Sequence, residues 1–122
     1  MHGSGGSGLV GEGEISRLAE ASDAVLVPAP GTVHGSRETL VAELADAAHA
    51  SGALVVATVG TSQEGADTET VRWLALAAKR AGADVLHLGD ACISGITDPM
   101  NVLAASIAIR GRRHAYRRMA MR

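Results

Sequence analysis

The stretch "LVVATVGTSQEGADTETVRWLALAAKRAGADVLHLGDA", Leu54 to Ala91, decides how this chain is read. It opens with a continuous, β-branched apolar run and turns through Gly60, Thr61 and Ser62. A helical period follows, stops at Gly82, and a second apolar run starts at Ala83. Short continuous apolar runs suit strands buried on both faces of a parallel sheet, and a segment with a period of about 3.6 residues between them suits a crossover helix.

The same unit is written three times. "SDAVLVPAPGT", "GALVVATVGTS" and "GADVLHLGDAC" start their runs at Ala24, Ala53 and Ala83, 29 and 30 residues apart. That is the length of a βα unit. From Ser36 to Ala50, Leu40, Val41, Leu44 and Ala48 form one stripe, with Ser36 and Thr39 as candidate caps and Gly52 as a stop. From Asp67 to Ala81, Val71, Leu74, Ala75 and Ala78 repeat the stripe, with Ser62 or Thr68 as candidate caps. An N-terminal helix is expected over Glu12 to Ala21. A last one starts with Asp98 as N-cap and Pro99 at the first helical position and runs towards Met119, with Gly111 as its weak point.

The expected order is therefore α-β-α-β-α-β-α in a single domain, residues 1–122, with a Gly/Ser-rich flexible segment over residues 1–10. The fold class is α/β: a three-stranded parallel βα repeat, half-barrel-like, with an N-terminal helix and a long C-terminal helix. Such a unit is either an open doubly wound sheet or a segment of a (β/α)8 barrel. Three strands close neither, so two edges and an apolar face are expected to meet a second copy of the chain, giving a homodimer or higher oligomer.

Composition sets bounds. With 47% apolar and 20% charged residues the chain can form a core, but aromatic content is 2% and Phe is absent, so the core is built from Ala, Val, Leu and Ile. A formal net charge of -2 gives no global attraction to nucleic acid or to an anionic membrane, and neither partner is expected. Cys92 is the single cysteine, so no intramolecular disulfide forms. "MHGSGGSG" lacks the apolar centre of a signal peptide and no run is long enough to span a bilayer, so a cytoplasmic location is expected.

At "VPAPGT", "GTSQEGAD", "LHLGDA" and "SIAIRGRRHAYRRMA" the sequence resembles the C-terminal half of an uncharacterised family of bacterial (β/α)8-barrel proteins, sometimes labelled as similar to phosphoenolpyruvate phosphonomutases. The resemblance covers nearly the whole chain. It implies that the chain is half of a barrel, that Met1, His2 and Gly3 are the stump of a preceding strand, and that the ligand carries phosphate or carboxylate.

In either sheet type ligands sit beyond the C-terminal ends of the strands. That rule selects residues 28–34, 60–67 and 89–98. In "GTSQEGAD", Gly60, Thr61, Ser62 and Gly65 are candidate ligand-binding residues, because backbone N–H groups and hydroxyls at a helix start cradle a small anion. Glu64 adds a carboxylate. The plainer reading is a βα turn with a cap. In "LHLGDA", Asp90 at the strand tip is the best candidate functional carboxylate and Gly89 allows close backbone approach. His87 alternates onto the face opposite Leu86 and Leu88, either as an acid or base at the site or as a buried structural histidine. Glu64, His87 and Asp90 are the candidate catalytic set, although the reaction is open and a non-catalytic structural or oligomerisation module, or an inactive barrel fragment, is the alternative.

His2, His34, His87, Glu64 and Asp90 show no spacing typical of metal ligands, so no metal and no cofactor is expected. Arg110, Arg112, Arg113, Arg117, Arg118 and Arg122 make up six of the eleven Lys and Arg residues; an inter-subunit contact is the preferred role for this basic end.

Overall fold

The computed structural model describes residues 10–60, 63–89 and 96–121. Helix α1 (Glu12–Glu20) leads into β1 (Ala24–Pro28), α2 (Glu38–Ala50), β2 (Leu54–Val59), a 3-10 turn (Gln63–Gly65), α3 (Thr68–Arg80), β3 (Val85–Leu88), α4 (Pro99–Arg110) and α5 (Arg112–Ala120). The three strands pair in parallel in the order β1-β2-β3. The fold is α/β and half-barrel-like, with the alternation of helices and strands that the repeat predicts and the last helix split in two.

The order of the strands and the side taken by the helices narrow the choice of fold. Val25, Val27, Val55, Ala57 and Val59 share one face, with Leu86 and Leu88 joining them in register. Ile15 and Ala19 of α1, Val41, Leu44 and Ala48 of α2, and Leu74 and Ala78 of α3 close over that face. Val71 and Ala75 of α3 pack with Ala105 and Ile109 of α4 over its β3 end. Strands laid down in sequence order with every crossover on one face are singly wound, the progression that builds a barrel. A doubly wound sheet reverses its strand order and covers both faces.

The opposite face carries Leu26, Leu54, Val56, Thr58, Val85 and His87, in the cross-strand rows Leu26–Val56–Val85 and Pro28–Thr58–His87. Leu26 is 66%, Leu54 52% and Val85 46% exposed. Among the described residues no helix packs on this side.

Local chemistry places the ends of the elements. Asp98 accepts from the Met100 N–H at 2.7 Å with Pro99 behind it, as expected for the start of α4. Asp67 rather than Thr68 caps α3, its Oδ1 accepting from the Thr70 N–H at 2.8 Å; Ser62 lies outside the described residues. Ser36 does not cap α2. Its Oγ accepts from the Gly31 N–H at 3.1 Å and donates to the Val33 carbonyl at 2.7 Å, tightening the β1–α2 loop, while Arg37 stands at the N-cap without a side-chain bond. The expected long C-terminal helix is interrupted at its weak point: Gly111 takes φ 80 and ψ 153, a conformation open essentially to glycine, and α5 starts beyond it.

At the strand starts, Asp84 ties three elements together. One carboxylate oxygen lies 2.8 Å from His49 Nε2 at the end of α2 and accepts from the Val55 N–H of β2 at 2.8 Å. Arg80 at the end of α3 donates a two-pronged hydrogen bond to Glu38 at the start of α2, at 2.8 and 2.9 Å.

Candidate functional site

The strand ends differ from the strand starts in how their polar groups are satisfied. As β2 runs out at Val59, the chain turns through Gly60 into the Gln63–Gly65 turn, where Ala66 and Gln63 close on each other through a 3.1 Å backbone bond. Asn101 of α4, itself buried, reaches across and donates to the carbonyls of Glu64 at 2.9 Å and Ala66 at 2.8 Å. Two carbonyls that no helix or strand satisfies thus depend on one side chain, which fixes the β2–α3 loop against α4.

Within this loop Glu64 is only 4% exposed and its Oε2 has no hydrogen-bond partner among the described residues. Thr97 Oγ1 and Gln63 Oε1 are likewise buried without partners. Such atoms are rare in folded proteins because each costs the desolvation of a polar group. Thr97 stands against Gly89, which takes φ 99 and whose N–H donates to the Val59 carbonyl at 3.0 Å. A Cβ at position 89 would run into Thr97 Oγ1, so both the backbone angle and the close approach call for glycine.

His87 is exposed and faces the uncovered side of the sheet, opposite Thr58, whose hydroxyl donates to the Val27 carbonyl at 3.3 Å. In the single chain His87 therefore lies outside the helix-covered core. Gly89 follows β3 and is tied to the end of β2 by its bond to the Val59 carbonyl, while Glu64 lies in the turn after β2 that Asn101 holds; Gly60 and Gly65 flank that turn, with Gly65 exposed. Asp90, Thr61, Ser62, Cys92 and His2 lie outside the described residues. Among the described residues no three His, Cys, Asp or Glu side chains cluster as metal ligands do.

The start of α3, expected to cradle an anion, carries an anion of the protein's own. Asp67 takes hydrogen bonds from the Thr70 N–H and, at 3.0 Å, from the Thr70 hydroxyl; these bonds, the backbone one foremost, hold its carboxyl below the usual aspartate range.

Three features were not singled out in the sequence. Asn101 braces the rim and Thr97 crowds Gly89, and an asparagine interrupting the apolar face of α4 was the available signal. The third is an open groove of about 780 Å³ between the β1–α2 loop and α3, lined by residues 30–38, Gln63 and Trp73. The single tryptophan of a chain without Phe, standing 54% exposed, was the signal there.

These features define an α/β unit of the singly wound, half-barrel-like kind with its polar groups gathered at the strand ends. The chain belongs to the family described as Domain of unknown function (DUF7916), whose sequence model matches residues 1–122. No curated protein and no solved structure matches it. Among the described residues no helix is long and apolar enough to cross a membrane.

Proposed function

We propose that the chain is a half-barrel that associates with a second copy through the uncovered face and edges of its sheet, and binds a small ligand at the C-terminal ends of its strands. The observation that carries this reading is the apolar row Leu26–Val56–Val85 on a parallel sheet that has helices, among the described residues, on one side only. Parallel sheets are covered on both faces, because their apolar side chains are otherwise left in water. In a barrel the inner face is filled by such branched side chains, and the polar row Pro28–Thr58–His87 lies one layer nearer the ligand rim. The resemblance to the phosphonomutase-like barrel family points the same way and supplies the ligand class, a phosphate or carboxylate compound. Glu64, His87 and Asp90 are the candidate reacting groups, and Gly60, Thr61, Ser62, Gly65 and Gly89 the candidate cradle.

A second reading, a non-catalytic oligomerisation module, is favoured by one observation. Asp67 and Asp98 cap α3 and α4, so the helix starts nearest the rim already have their own carboxylates in place. A residue-resolved NMR titration with phosphate and with malonate separates the two. Shifts at Gly60, Gly65, Gly89 and the His87 ring, weakened in Glu64→Gln, support a ligand rim. Absence of any shift there in a self-associated protein leaves the structural module.

A further inference from the structure

A second cleft opens far from the rim, where α4 ends and α5 begins. We propose that it binds a phosphate group. The cleft, about 460 Å³, is lined by Arg110, Gly111, Arg112, Arg113, His114 and Arg117. No Asp or Glu follows Asp98 in the sequence. Among the described residues the four arginine side chains have no hydrogen bond or ion pair, whereas the Arg80 side chain is held by Glu38.

The charges here are arranged against the helix that bears them. Arg112 and Arg113 occupy the first turn of α5, the positive end of the helix dipole, where acidic residues are favoured; this turn has none, and Gly111 supplies no side-chain cap. Arg113 and Arg117 stand four residues apart, a like-charged pair on one helix face, and His114 and Arg118 have the same spacing. Each departure is small, but all fall on the same few residues. The glycine-only backbone of Gly111 turns the chain at that place.

A phosphate answers the departures that line the cleft. It pairs the guanidinium groups, whose forks match its oxygens two at a time, and accepts from the uncapped amides at the start of α5. A single carboxylate, with two oxygens, offers fewer acceptor sites and less charge to several arginines than a phosphate does. The chemistry is shared by a free phosphate compound and by a lipid headgroup. Tyr116, Met119 and Met121, all exposed along or just beyond α5, are the side chains that a lipid surface would engage.

The test uses the full chain at fixed ionic strength. Pyrophosphate is titrated by calorimetry and by backbone NMR, with phosphatidate vesicles and a single-stranded oligonucleotide as parallel arms. Saturable pyrophosphate binding with shifts at residues 111–114 is expected. Arg112→Gln and Arg113→Gln should each weaken it about tenfold or more, as loss of a charge-assisted hydrogen bond does, while Arg118→Gln, outside the cleft, stays within about twofold. In phosphate-free buffer Arg113→Gln should melt no lower than the parent chain, because it removes repulsion; with pyrophosphate present it should melt lower. Added vesicle binding identifies a headgroup as the source. Equal losses in all three variants, affinity for the oligonucleotide or vesicles without affinity for pyrophosphate, or shifts confined to Gly60 and Gly89 would overturn the assignment; the last would leave the rim reading standing.

Discussion

The two faces of the sheet carry similar residues and meet different surroundings. Val25, Val27, Val55 and Val59 lie beneath helices, while Leu26, Leu54 and Val85, interleaved with them along the same strands, are roughly half exposed or more. Nothing in side-chain chemistry separates the two sets. What separates them is connectivity: right-handed crossovers between strands laid down in order send every helix to the same side. Among the described residues the sheet thus carries apolar side chains on both faces and has cover on one, which is why self-association is the proposal that the fold favours.

The largest effect that would break this comparison comes from matched truncations. Leu44→Ala, beneath the covered face, is expected to cost about 2–5 kcal/mol, because neighbours packed on all sides cannot refill the cavity. Leu26→Ala, in dilute monomer, should stay within about 0.5 kcal/mol. Urea denaturation at low protein concentration reads both, and equal costs would mean that the second face is covered by the chain itself.

At the strand ends, Asn101→Ala should cost about 1–3 kcal/mol by stranding the Glu64 and Ala66 carbonyls, with amide shifts concentrated over residues 63–66. Gly89→Ala should cost a similar 1–3 kcal/mol from strain at its positive φ. Thr97→Ala in the same chain should recover the part due to the close contact, and no recovery would show that the backbone angle alone sets the cost.

The smallest effect sharpens the contrast between strand starts and strand ends. The hydrogen bond with His49, and then the Val55 N–H, hold the Asp84 carboxyl below the ordinary aspartate value. A lowered folded value contributes stability above the unfolded value of about 3.9 and loses it as the pH falls through the folded one. Asp84→Asn should therefore be less stable than the parent at neutral pH, with the gap closing in acid below that value. A gap that persists undiminished in strong acid would contradict the assignment.

Much of the fold was legible because βα repetition, Gly82 and the Asp98–Pro99 start are local signals that tertiary structure had no reason to override. Ser36 misled because a serine before a helical stripe caps a helix or braces a loop equally well, and the Gly31 N–H claimed its hydroxyl. The choice between doubly and singly wound sheets was not legible in the repeat itself, since it depends on which face the crossovers take; the family resemblance was what favoured the half-barrel. Of the candidate site, Glu64, Gly89 and His87 were named from their position at strand ends. Asn101 and Thr97 were not, because the need for them arises only when α4 packs across the β2–α3 loop.

The most direct test of the account is the molar mass of the full chain in solution, measured by light scattering over a range of concentrations alongside Leu26→Asp. The account predicts a closed dimer or larger assembly for the parent and a folded single chain for the variant. A parent that stays a compact single chain at every concentration would contradict it.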